Sequence, residues 1–336
     1  MSGQRIFWTG LITIGEEPLQ PKPPFAGAGW TATLAPQRRD PPAVHKGKEI
    51  VLYARSWVSA QRALDLIYGC HQLVFDTPPI ISVHPIAYNE TEPDWMQEDD
   101  RRRQVEMTLS TSDFPLACAI AAKASRRRRW VYAVAKLKFS QSLYSVHHVD
   151  LEPWKSPNLP ISSFPDDHVL FSYAIISAYS VLEDIGLELR ASTRRPSRIS
   201  GNWNPIVKED LDLRLAKAGV DLGETLLWTI RGPKRTIERR RPIPPARKAA
   251  WSGWFVRDSK LSVADAIAYA DWLRDRVASH AAKDLTRVLS PYDVVNVQHL
   301  ARRLLLECLG FWRWHEKRRI RIANSKAKDC PEDGPI

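Results

Sequence analysis

Apolar residues alternate or cluster over short stretches in the first half of the chain and recur at helical spacing in the second. Arg5 to Ile14 (RIFWTGLITI) is dense in β-branched and aromatic residues and predicts a strand. A Pro/Gly-rich loop is expected from Glu17 to about Val44. Ile50 onward (IVLYA) again predicts a strand. Ala60, Leu64, Ile67 and Cys70 then fall on one helical face, and Gln72–Phe75 is expected as a closing strand. Glu90 to Arg103, acidic and then basic, suits a solvated excursion. Phe114 to about Phe139 predicts one long alanine-rich helix. It contains Arg126, Arg127, Arg128 and Arg129, which at 100° per residue sweep about 300° of a continuous helix. At least one of them is then expected on a packed side, with an acidic partner or snorkelling to solvent.

The Pro/Ser-rich stretch Leu151–Pro165 predicts the domain boundary. Beyond it the pattern is helical. Asp166 or Asp167 can cap a helix reaching about Arg190, with Val169, Tyr173, Ile176, Ser180 and Glu183 on one stripe. Asn204, Pro205 and Gly219 punctuate a second helix as N-cap, first-turn proline and terminating glycine. Ser262 with Asp265 opens a third, whose stripe is Val263, Ile267, Ala270, Leu273 and Val277. Ser290, Pro291 and Asp293 open a fourth, ending near Gly310. The expected class is therefore α+β. A mixed α/β domain of unassigned role occupies 1–155 and an all-α bundle with a basic insertion 160–314, followed by a flexible basic and polar tail over 315–336.

Charge sharpens this picture. The net charge is +11, and residues 186–260 hold 17 Lys/Arg against 8 Asp/Glu, whereas the first 150 residues are nearly balanced. A basic second half favours acidic partners, nucleic acid foremost. Within it Arg194, Arg195, Arg198, Arg239, Arg240, Arg241 and Arg276 are the candidate phosphate contacts. Trp203, Trp228, Trp251 and Trp254 are interleaved as stacking or packing groups. Cys70, Cys118, Cys308 and Cys330 have no metal-binding spacing and read as free thiols in a reducing compartment. No apolar run approaches the roughly 18 residues of a membrane span, and the N-terminus lacks a small-residue cleavage site. The expectation is a cytoplasmic protein without membrane attachment. There is no phosphate loop, dinucleotide fingerprint or nucleophile elbow. His147 and His148, near Asp150 and Glu152, would point to opposite sides of a strand, so neither a metal nor any other cofactor is expected.

One constellation carries chemistry. The helix opened by Ser262 ends in Trp272-Leu273-Arg274-Asp275-Arg276-Val277-Ala278-Ser279-His280. Arg38 or Arg39 with His45 has similar spacing, but the intervening prolines preclude a helix. The Arg274–His280 segment, late in the chain and followed by another capped helix, resembles the Arg-x(4–6)-His motif of HEPN (higher eukaryote and prokaryote nucleotide-binding) domains. Ala178–Asp184 likewise resembles the family's first long helix. The resemblance spans about residues 165–312. It implies a metal-independent endoribonuclease acting as a toxin or defence effector, a homodimer with facing motifs, and products ending in 2′,3′-cyclic phosphate. An antitoxin or activator is a further implied partner. In that reading His280 transfers the proton, Arg274 stabilises the transition state and Asp275 orients one of them. On an unbroken helix residues six apart stand about 120° apart, so the helix must loosen before His280 or the two must meet in a composite site. Arg276, four residues from His280, shares its face. The residues alone leave open a non-catalytic nucleic-acid-binding or regulatory protein using 186–260, and a dimerising assembly module.

Overall fold

The computed structural model describes residues 4–13, 21–36, 47–74, 87, 113–144, 165–232, 255–279, 289, 291–313 and 316. Among them are seven helices and three small antiparallel sheets, so the class is α+β. The chain divides into two compact units. One comprises Met1–Val74, Pro85–Ala124 and Leu306–Ile336, the other Phe75–His84 and Ser125–Leu305. The division falls at Ala124/Ser125, upstream of the Pro/Ser-rich stretch expected to separate domains. Most of that stretch lies outside the described residues.

In the first unit, strands β1 (Arg5–Thr13), β2 (Phe25–Ala26), β3 (Trp30–Pro36) and β4 (Lys48–Ala54) form an antiparallel sheet in the order β1-β4-β3-β2. Phe7, Leu11, Trp30, Ala32, Ile50 and Leu52 are buried. Helices α1 (Trp57–Val74) and α2 (Phe114–Ala124) pack on the sheet and on each other. The pairing of β1 with β4 slips between Trp8 and Ile12. There Gly10 adopts φ +67°, a conformation costly for a residue with a Cβ. Its N–H donates to the buried Glu49 carboxylate at 2.9 Å. Two expectations change here. The supposed loop 17–44 contains β2 and β3, whose alternation rests on weakly apolar Ala and Thr. Of the expected strand Gln72–Phe75, Gln72, Leu73 and Val74 are instead the buried end of α1, and Phe75 lies outside the described residues.

The stretch 114–139, expected as one helix, forms two. Helix α2 stops at Ala124 and α3 (Arg128–Leu143) begins after Arg127, which is extended at φ −134°, ψ 118°. Helix α4 (Pro165–Ile185) is the main packing partner of α3. Ser140 Oγ donates to the Ala174 carbonyl at 2.7 Å and Ser177 Oγ to the Lys136 carbonyl at 2.8 Å, so the two helices run antiparallel. Helix α4 ends in a glycine cap, with Leu187 N–H donating to the Leu182 carbonyl at 2.8 Å. A two-residue hairpin, β5 (Arg198–Ile199) and β6 (Asn202–Trp203), leads into α5 (Pro205–Lys217). As expected, the Asn204 side chain accepts from Ile206 N–H and Gly219 has positive φ.

The expected all-α bundle is corrected by the ribbon β7 (Thr225–Gly232) and β8 (Phe255–Ser262), paired antiparallel over eight residues. Leu226-Leu227-Trp228-Thr229-Ile230 has strand composition, and Trp228 is buried against Tyr269 with ring centroids 5.2 Å apart. The last helices are α6 (Val263–Ser279) and α7 (Pro291–Leu309). All five predicted stripe residues of α6 are buried. Residues 291–305 of α7 are buried on nearly every side, so their polar groups must find partners within the protein. Asn296 exchanges two hydrogen bonds with the Thr229 backbone, Gln298 donates to Ser140 and Tyr144, and Arg303 pairs with Glu224.

Candidate functional site

Helices α4 and α6 pack on each other along a seam, and a cluster of polar side chains joins them. On α4, Tyr179 and Glu183 are one turn apart and share a face. On α6, Asp271, Arg274 and Asp275 occupy positions i, i+3 and i+4. Where these faces meet, the Arg274 guanidinium lies 4.7 Å above the Tyr179 ring. One terminal nitrogen reaches Glu183 Oε1 at 3.1 Å. The other reaches Asp271 Oδ1 at 2.7 Å and Asp275 Oδ1 at 3.0 Å. The Tyr179 hydroxyl donates to Asp271 Oδ1 at 2.7 Å and accepts from Leu189 N–H at 3.1 Å.

The electrostatics follow from this packing. Burial, and next the neighbouring Asp271 charge, push the Tyr179 phenol well above its ordinary range. Burial also raises the Asp271 carboxyl, with the Tyr179 hydrogen bond and the Arg274 charge pulling the other way. Burial opposes the charge on Arg274, but Asp271, Tyr179, Asp275 and Glu183 together outweigh it and raise its pKa. One guanidinium therefore faces three carboxylates of unequal exposure. The Asp271 side chain is 14% exposed, whereas those of Glu183 and Asp275 are 43% and 66% exposed. Asp271 belongs to the framework, and the other two can be displaced toward solvent.

Helix α6 is described to Ser279, so His280 lies outside the described residues, as do Arg239, Arg240 and Arg241. Arg274 and Asp275 are brought together directly. Arg276, half-buried, instead rests 5.6 Å from the Trp272 ring. Arg194 and Arg195 are exposed in the loop before β5. Arg198 is engaged in the framework: it pairs with Asp265 at 2.6 Å and stacks on Trp203 at 4.7 Å. Arg190 and Lys208 are paired as well, with Glu188 and Asp212. Arg214 binds Asp210 at 2.9 Å and donates to the carbonyls of Gly186 and Glu188 beyond the end of α4.

Sequence reasoning did not identify Asp271 or Tyr179 as partners of Arg274. The i, i+3 spacing from Asp271 to Arg274 was a legible signal, while the pairing with Tyr179, more than ninety positions upstream, was not. Among the described residues no cluster of His, Cys, Asp and Glu is arranged to hold a metal ion, and no helix is long and apolar enough to cross a membrane. His147 and His148 lie outside the described residues. No protein-family model matches the chain, and no curated protein or solved structure shows significant similarity to it.

Proposed function

We propose that the second unit is a metal-independent endoribonuclease of HEPN type, with Arg274, Asp275 and His280 as its working residues and a homodimer as its working form. The observation that carries this reading is a guanidinium stacked on Tyr179 and anchored by Asp271, with its two other partners on exposed side chains. An incoming RNA phosphate can take the place of Glu183 or Asp275 on Arg274 while Asp271 and Tyr179 keep the group oriented. A fixed, permanently charged donor fork suits the equatorial oxygens of a phosphoryl transition state. His280 then removes the proton of the 2′-hydroxyl. The O2′–P bond forms, the P–O5′ bond breaks, and the departing 5′-oxygen takes up a proton. The upstream fragment ends in a 2′,3′-cyclic phosphate and the downstream one in a 5′-hydroxyl.

A second reading is favoured by the charge count at the same place. Three carboxylates around one guanidinium repel a polyanion, and a seam built only to fasten α4 to α6 would look the same. In that case the unit binds nucleic acid, or assembles, without cutting. Cleavage of labelled single-stranded RNA in EDTA separates the two. Endoribonuclease activity predicts cyclic-phosphate ends from wild type and a loss of at least about a hundredfold in both Arg274→Ala and His280→Ala, the scale of losing a proton-transfer group or an oxyanion donor. RNA binding without cleavage in all three proteins would overturn the nuclease and leave the binding module.

A further inference from the structure

Arg126, Arg127, Arg128 and Arg129 take no part in the seam, and the structure resolves the problem their sequence posed. Because the chain is extended at Arg127 before α3 begins, all four side chains are exposed, while Trp130 turns inward and anchors the turn. Asp113 and Asp150 flank a stretch that contains no acidic residue. Among the described residues no carboxylate pairs with any of the four arginines; on α3 it is Lys136 that pairs with Asp184, at 2.8 Å. Two of the guanidinium groups lie over aromatic rings: Arg127 over Trp130 at 4.5 Å and Arg128 over Tyr132 at 5.4 Å, the latter also donating to the Tyr132 hydroxyl at 3.2 Å.

Four adjacent like charges sit where the helix dipole disfavours them. The N-cap Arg127 supplies no side-chain hydrogen bond, and the first turn has no acidic residue. A polyanion relieves that repulsion. Below the turn, Arg128, Tyr132, Ala135 and Phe139 are exposed at positions i, i+4, i+7 and i+11, a single stripe about 16 Å long at 1.5 Å per residue. Tyr132 is 48% and Phe139 55% exposed, an unusual allowance of ring surface on a basic face. Phosphate-binding charge leading into exposed aromatic rings is the combination that recognises single strands, whose unpaired bases can stack on side chains. A duplex presents phosphates but keeps its base faces to itself.

We propose that the Arg126–Arg129 turn and the Tyr132–Phe139 stripe of α3 form a binding surface for single-stranded nucleic acid, the arginines taking phosphates and the rings taking bases. This surface is independent of the chemistry at Arg274. The test uses the full chain and a labelled oligothymidylate of about 20 nucleotides, longer than a single-strand site on one small fold. DNA lacks the 2′-hydroxyl that the proposed cleavage requires, so failure of binding and failure of the nuclease are read separately. Wild type is expected to bind, with affinity falling steeply with salt. Replacing all four arginines by Gln should weaken binding at least about tenfold and flatten the logarithmic salt dependence by about 2 to 3, at roughly 0.7 per phosphate contact on a single strand. Tyr132→Ala with Phe139→Ala should weaken single-strand binding about tenfold or more with the salt slope unchanged, and should leave duplex binding unaltered. All six positions are exposed, and equal thermal melts would show that the variants fold. An unaltered affinity and slope in the four-Gln variant would overturn the proposal. So would absence of oligonucleotide binding by wild type, or binding to phosphatidylserine vesicles in its place.

Discussion

Asp271 bears the heaviest demands of any side chain in the seam. It accepts from a buried phenol and a guanidinium, yet burial holds its carboxyl above the ordinary carboxylate range. From the ordinary value near 3.8 upward, the folded protein keeps a proton that the unfolded chain has released. In that window this group's contribution to stability falls as pH rises, the reverse of a carboxylate whose pKa is depressed. Asp271→Asn should therefore remove a downward component from the stability–pH profile just above pH 4, seen by comparing urea midpoints of the two proteins across that range. At neutral pH the same substitution weakens two charge-assisted hydrogen bonds. Relief of the buried charge offsets that loss, so Asp271→Asn should be near neutral there, whereas Asp271→Ala, which removes the shared acceptor of Tyr179 and Arg274, should destabilise the protein by about 2 kcal/mol. An unchanged midpoint in Asp271→Ala would remove Asp271 from the framework. Glu183→Gln touches a more exposed partner and should cost well under half as much.

At the level of elements, helix ends are settled by a few polar side chains, and those ends place the seam. Ser262 Oγ accepts from Asp265 N–H at 3.1 Å and donates to the Asp265 carboxylate at 2.8 Å, which starts α6 at a fixed residue. The same carboxylate receives Arg198 and the Trp203 indole at 2.9 Å, tying the β5–β6 hairpin to the start of α6. Ser262→Ala should cost about 1 kcal/mol, the ordinary value of an N-cap. Asp265→Ala should cost distinctly more, because it also strands a half-buried guanidinium and an indole N–H. Equal losses in chemical denaturation would mean that the hairpin contacts contribute nothing. The junction of α2 and α3 shows the opposite case, a helix start with neither a side-chain cap nor an acidic first turn.

Across the whole molecule, each unit closes its own core, and the thiols report on one of them. Cys70 and Cys118 are buried in the first unit, and burial pushes both thiols far up, with the Cys118 charge adding to the effect at Cys70. Since the thiolate is the reactive form, neither should react with an aromatic disulfide reagent until the unit unfolds. Cys70→Ser and Cys118→Ser should therefore leave the reagent's native-state reaction unchanged. Fast labelling of either residue in the native protein would contradict the packing of α1 and α2.

Local chemistry settled much of this protein in advance. The caps at Asn204 and Ser262, the buried stripe of α6 and the first and fourth strands are written in short-range patterns, because propensity and capping act within one or two turns. The stop of α2 at Ala124 was not so written. Residues 114–139 carry helical spacing throughout, and it is the inward packing of Trp130 and the pairing of α3 with α4 that accompany the start of α3 at Arg128. Likewise β7 and β8 pair across more than twenty intervening residues, and a strand needs its distant partner before it exists. The candidate site divides in the same way. The spacing of Arg274, Asp275 and His280 was visible on one helix, but Tyr179 and Glu183 come from another, and only the packing of α4 on α6 brings them to the guanidinium. Sequence could name the charges; which of them remained available to a partner depended on which found carboxylates nearby. Arg198, Arg214 and Arg274 found them, and among the described residues Arg126 to Arg129 did not.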